Sequence, residues 1–133
     1  MAARFFVDEN DLALGRRLAQ LHPEEVVYPG HAALAAVPRG SVDDVWLPVI
    51  GAERLVVITR DGRIRSRPAE RHAWVQHRVR GFVLTGKKSQ STEASLAILQ
   101  RHWSQIERFI AEHSEGPWMQ AIVNGGLRPI NLR

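Results

Sequence analysis

The sequence contains no cysteine, which excludes disulfide frameworks, thiolate metal sites and cysteine nucleophiles together. Long apolar runs are also missing: the longest fall far short of the ~20 residues that a membrane span requires. The chain enters a strand pattern almost at once and leaves no room for a signal peptide, so a cytoplasmic protein is expected. No internal repeat, low-complexity tract or linker interrupts the 133 residues. One domain over 1–133 is the simplest organisation, and at this length about two-thirds of the unfolded surface can be buried. The six histidines offer no zinc site or nucleophilic triad: His72 and His77 are five apart, and His102 and His113 have no acid at ligand spacing. Gly86-Lys87-Lys88-Ser89 lacks the glycine spacing of a P-loop.

Acids are scarce in one region. Between Arg60 and Lys88 there are nine cations (Arg60, Arg63, Arg65, Arg67, Arg71, Arg78, Arg80, Lys87, Lys88) against Asp61 and Glu70, so this segment carries +7 of a net +4 and the rest of the chain −3. Clustered arginine is the footprint of a phosphate-bearing partner. A solvated basic face is the plain alternative.

The hydrophobic pattern alternates strands with helices. Arg4 to Val7 is a short apolar strand without alternation, as for a strand buried on both faces. Asn10 or Asp11 can cap the helix that follows, which has Leu14, Leu18 and Leu21 on one face and ends at His22-Pro23. A strand over Glu25 to Tyr28 leads to a loop over 31–40. Ser41 and Asp44 are spaced as a capping box for a helix with Val42, Trp46, Val49 and Ile50 inside, bent by Pro48 and stopped by Gly51. Arg54 to Thr59 is the central strand, followed by a helix over 69–78 behind Pro68 and a strand over Gly81 to Thr85. Ser91 or Thr92 caps one long helix whose Leu96, Leu99, Trp103, Ile106 and Ile110 recur over about 30 Å. Gly116-Pro117 breaks it. A short helix with Trp118 and Ile122, then an edge strand over Leu127 to Asn131, complete the chain. Trp46 and Trp103 fall on apolar stripes and read as core rather than base-stacking platforms.

This alternation predicts an α/β fold: a three-layer α/β/α sandwich around a mainly parallel sheet. Right-handed crossovers then set all strand C-termini along one edge, where ligands of such folds bind. Asp8 and Asp61 each follow a buried strand at that edge, and Asp43 and Asp44 open a helix that starts there. Each also has a structural alternative: Asp8 as a cap, Asp61-Gly62 as a turn, Asp44 as half of the capping box, and Glu9 and Asn10 as helix-start residues. Carboxylates gathered at one edge repel one another, and a divalent cation such as Mg²⁺ or Mn²⁺ removes that penalty. Such a site beside an arginine-rich flank fits hydrolysis of a nucleic-acid backbone.

Three blocks carry a family resemblance: Phe6-Val7-Asp8-Glu9-Asn10, Ser41-Val42-Asp43-Asp44-Val45-Trp46-Leu47-Pro48, and the long run from Val56-Val57-Ile58-Thr59-Arg60-Asp61-Gly62 through Arg67-Pro68-Ala69-Glu70. In order and spacing, over about residues 4 to 110, the chain resembles a PIN-like domain, the ribonuclease fold of VapC-type toxins. The resemblance implies a Mg²⁺- or Mn²⁺-dependent ribonuclease whose catalytic metal ligands are Asp8, Asp43 and Asp61, with Asp44 as the alternative to Asp43. Glu9, Asn10 and Thr59 would support those ligands, and Arg60, Arg63, Arg65, Arg67, Lys87 and Lys88 would contact RNA phosphates. It also implies an RNA substrate, a cognate antitoxin protein, a homodimer and no membrane. The chain departs from the pattern at one point. Many PIN nucleases add a fourth acid after the fourth strand, yet no Asp or Glu lies between Glu70 and Glu93, where Lys87 and Lys88 stand instead. A site one carboxylate short is therefore expected. Two other readings stay open: a catalytically weak PIN-like module that binds RNA or an antitoxin, and a phospho-accepting receiver-like domain using Thr85 and Lys87.

Overall fold

Three short runs of apolar residues make the centre of the sheet. They are β1 (Phe5–Val7), β3 (Val56–Thr59) and β4 (Arg80–Leu84), all buried at every position. Between β1 and β3 the chain forms a single 3₁₀ turn (Glu9–Asp11), α1 (Leu12–Leu21), β2 (Val26–Val27) and α2 (Asp43–Glu53). After β3 come α3 (Pro68–Gln76), β4, α4 (Thr92–Arg101), α5 (Trp103–Glu112), β5 (Trp118–Val123) and β6 (Gly126–Pro129). The computed structural model describes residues 3–62, 66–85, 90–123 and 125–133. Arg63, Arg65, Lys87, Lys88 and the Gly86–Ser89 loop lie outside them.

The six strands lie in the order β2-β1-β3-β4-β5-β6. All neighbours run parallel except β6, which returns antiparallel to β5. Because successive side chains point to opposite faces, each central strand feeds two cores. Phe6, Val57 and Val83 pack with Trp46, Leu47 and Ile50 of α2 and Trp74 of α3. Phe5, Val7, Val56, Ile58, Phe82 and Leu84 pack with Leu14 and Leu18 of α1, Leu96 and Leu99 of α4 and Ile106 of α5. The α/β/α sandwich expected from the alternation is the fold observed. Among the described residues no helix is long and apolar enough to cross a membrane.

The element boundaries depart from the sequence pattern in four places. The segment holding Trp118 and Ile122 is not a helix: it is β5, paired in parallel with β4 from Arg80↔Trp118 to Leu84↔Ile122. The long helix divides at His102, which ends α4 and begins α5, and whose buried ring lies with Nδ1 3.1 Å from Gln105 Oε1. Gly51 does not stop α2, which continues to Glu53 and ends on Arg54 in the left-handed region. A Cβ at Gly51 would stand 2.3 Å from the His77 carbonyl, so this glycine serves the close approach of α2 to the end of α3. Nor does Ser41 cap α2: its hydroxyl donates to the Pro38 carbonyl at 2.6 Å, and Val42 is the N-cap without a side-chain bond. The capping box is absent.

The chain leaves β1 for β2 on one side and later fills β3 on the other. The order of strands therefore switches between β1 and β3, and their C-terminal ends frame the crevice at which such sheets bind ligands.

Candidate active site

At that switch point β1 ends in Asp8 and β3 ends in Thr59, with Arg60 and Asp61 following. Asp8 is 3% exposed. Its Oδ2 accepts a hydrogen bond from Thr59 Oγ1 at 2.9 Å, while its Oδ1 is buried and has no hydrogen-bond partner of standard geometry among the described residues. The same threonine oxygen accepts the Asp61 backbone N–H at 3.0 Å, so one hydroxyl ties both acid-bearing strand ends together. Asn10 Nδ2 donates to Asp61 Oδ2 at 3.3 Å. Across the crevice, Asp43 is the first residue of α2, and its Oδ1 accepts from Trp46 Nε1 at 2.9 Å.

These groups line one cleft of about 400 Å³. Among the described residues its walls carry six acids, Asp8, Glu9, Asp43, Asp44, Asp61 and Glu70, and one cation, Arg67, which pairs with Glu70 at 3.5 Å. The electrostatic consequence is visible in the carboxyl groups themselves. Burial pushes the Asp8 carboxyl well above the usual carboxylate range, and repulsion from Asp11 adds to this. The Thr59 bond opposes the rise, while Asp61 and Asp43 reinforce it. Asp43 is raised too, by burial first, against its Trp46 bond, and then by Asp61, Glu70 and Asp44. Crowded acids that resist ionisation in a cleft are the electrostatic setting in which a cation is stabilised.

Two acids in this region were not singled out by the sequence pattern. Asp11 was read only as a helix cap, yet it makes no cap bond. It is buried, and its Oδ2 accepts the Arg60 backbone N–H at 3.0 Å. Burial raises its pKa, opposed by the Arg60 backbone and guanidinium. Glu70 closed the third resemblance block and was one of two anions in the basic segment, but it was not named as a site residue. It lies in the first turn of α3, a helix that starts at the same edge as α2, and this is the signal that could have found it. Glu9, Asp44 and Glu70 line the same cleft as Asp8, Asp43 and Asp61. The loss of the capping box also removes the reason for setting Asp44 aside.

The cations distribute differently. The Arg60 guanidinium is held by Asp11, with Nε 3.6 Å from Oδ1, and donates to the Gln90 carbonyl at 2.8 Å. Arg67 stands on the cleft wall. Glu9 keeps a buried Oε2 without a hydrogen-bond partner among the described residues and lies 4.0 Å from Arg39.

A family model described as a PIN like domain matches residues 3–86. The chain belongs to the PIN-like domain family. No curated protein sequence and no solved structure matches the chain. PIN-like domains are typically nucleases and generally use divalent metals. The matched segment includes every strand and helix that contributes to the cleft and ends before α4. It leaves no support for the receiver-like reading; Thr85 donates its hydroxyl to the Ile122 carbonyl at 2.9 Å. Among the described residues, no three acids or histidines stand close enough together to hold a metal ion as placed. The chemistry of the cleft nevertheless fits one. The donors are all oxygen, which suits a hard cation such as Mg²⁺ or Mn²⁺, and the Asp8 Oδ1 is buried with no hydrogen-bond partner of standard geometry among the described residues.

Proposed function

We propose that this PIN-like domain is a Mg²⁺- or Mn²⁺-dependent endoribonuclease and the toxin of a toxin–antitoxin pair. The observation that carries the proposal is Asp8, a carboxyl buried to 3% exposure, with one oxygen held by Thr59 and its charge opposed by Asp11, Asp61 and Asp43. Asp8, Asp61 and Asp43 would hold the cation, with Asp44 and Glu70 within the same cleft. When bound there, it would polarise a phosphodiester and lower the pKa of a bound water.

The chain's own residues do the positioning. Thr59 fixes the Asp8 rotamer and the Asp61 backbone with one hydroxyl. Asn10 orients the Asp61 carboxylate, and Trp46 orients that of Asp43. Arg67 offers a phosphate contact on the cleft wall. Purified protein is expected to cleave single-stranded RNA with Mg²⁺ or Mn²⁺ and to stop on addition of EDTA. Asp8→Asn and Asp61→Asn should each abolish cleavage with the fold intact. Full activity in Asp61→Asn would sink the assignment. For the toxin role, expression should arrest growth, and a short DNA-binding protein encoded beside this gene should relieve the arrest.

One observation favours a second reading: among the described residues, no three acids converge as placed. A catalytically weak module that binds RNA or an antitoxin would keep RNA binding and show no metal-dependent cleavage.

A further inference from the structure

The opposite edge of the sheet, where the strands begin, carries a different electrostatic feature. Arg80, the first residue of β4, is 8% exposed. Its Nη2 donates to the carbonyl of Arg54, and among the described residues no carboxylate forms an ion pair with it. Buried charges are ordinarily paired, because removing an ion from water costs more than one neutral hydrogen bond returns. Burial lowers the Arg80 pKa and the Arg54 charge lowers it further, against the opposing pull of Glu115.

Beside this guanidinium lies a cavity of about 100 Å³, lined by Arg54, His77, Arg78, Arg80 and Glu115 among others. That is room for about three waters, a space suited to one small oxyanion. Arg54 ends α2 and Arg78 follows α3; both hold left-handed backbone, with φ of 57° and 55°. This is the common way for a helix to end. Among the described residues one acid stands on the wall: Glu115 lies 3.4 Å from Arg54 and 4.0 Å from Arg78, with its side chain 64% exposed. Arg54 and Arg78, with side chains 58% and 66% exposed, share this one carboxylate, and Arg54 also donates to the Ser114 carbonyl at 3.1 Å; the described lining still holds three guanidinium groups to one carboxylate.

We propose that this pocket binds a tetrahedral oxyanion of the phosphate class, either free phosphate or the end of a phosphomonoester. Guanidinium forks match such oxygens in geometry as well as charge. The pocket is independent of the acidic cleft, from which it is separated by at least the length of β3, about 13 Å.

Titration calorimetry on the full chain, at constant ionic strength, with inorganic phosphate in one series and phenyl phosphate in the other, tests this. Binding of at least one of them is expected, with affinity reduced about tenfold or more in Arg54→Asn and in Arg78→Asn. Asparagine tolerates the left-handed backbone at both positions, so the variants keep the fold. Glu115→Gln should tighten binding several-fold, because it removes the carboxylate that faces the anion. Preference for phenyl phosphate assigns the site to a phosphomonoester end, and the reverse preference to free phosphate. The proposal is overturned if neither anion binds the unsubstituted protein, if both arginine variants bind as it does, or if Glu115→Gln weakens binding.

Discussion

Asp8 is the residue on which the chemistry and the stability of the molecule meet. Its folded pKa lies above the ordinary carboxylate value because the charged form is desolvated and faces other acids. A raised acid binds its proton more tightly in the folded state. Its contribution to stability is therefore fully present below the unfolded pKa and is lost as pH rises through the folded one. Asp43 and Asp11 are shifted in the same direction. Without metal, the melting temperature should fall as pH is raised from the ordinary carboxylate range towards neutrality. Mg²⁺ or Mn²⁺ should restore it at neutral pH, and Asp8→Asn should raise it by several degrees while making it insensitive to metal. A pH-independent melting temperature in metal-free buffer would contradict this account. Thr59 gives a second test. Thr59→Val leaves Asp8 without a donor, and should cost about 1–3 kcal/mol in urea unfolding and roughly 10–100-fold in cleavage; Thr59→Ser should recover most of both. Asp8 and Asp61 were legible in the sequence because Asp8 directly follows an apolar run and Asp61 stands one residue past a β-branched one. Asp11 and Glu70 were not, because an acid in a first helical turn looks the same whether it faces solvent or a cleft.

At the scale of elements, hydrophobic periodicity located the strands buried on both faces, since Phe5–Val7 and Val56–Thr59 are apolar or β-branched at every step. It failed for Trp118–Val123. Met119, Gln120 and Ala121 favour helix locally, and Trp118 and Ile122 stand four apart, but a free edge of β4 and the returning β6 take the segment into the sheet. It also ran through His102, because Leu96, Leu99 and Ile106 keep facing one core across the break. Helix α3 docks through Trp74, which is fully buried and donates its Nε1–H to the Trp118 carbonyl at 3.1 Å. The ring reaches the sheet only because Gly81 has no side chain: a Cβ there would stand 2.7 Å from two Trp74 ring carbons and 2.9 Å from the Val57 carbonyl. Gly81→Ala should therefore destabilise the protein by about 1–3 kcal/mol, read from the urea midpoint at unchanged slope. A midpoint equal to that of the unsubstituted protein would mean that α3 shifts at no cost.

For the whole molecule, a net charge of +4 averages over regions of opposite sign. The described lining of the cleft is acidic, so by its own field it repels a polyanion, and under the proposed function attraction for RNA comes from elsewhere on the chain. Nine cations between Arg60 and Lys88 were the obvious source in the sequence, but the fold divides them. Arg60 is held by Asp11 and Gln90, Arg71 donates to the Arg133 carbonyl, and Arg78 and Arg80 line the pocket at the far edge of the sheet. Arg67 stands at the cleft, and Arg63, Arg65, Lys87 and Lys88 lie outside the described residues. Each phosphate neutralised on a single strand contributes about −0.7 to the slope of log affinity against log salt. Replacing Arg63 and Arg65 together by glutamine should flatten the slope for single-stranded RNA by about 1.4, whereas Arg71→Gln should leave it where it was. A slope untouched by the double substitution would remove these arginines from the binding surface. Sensitivity to Arg71 instead would move the RNA path from the acidic edge to the α3 face.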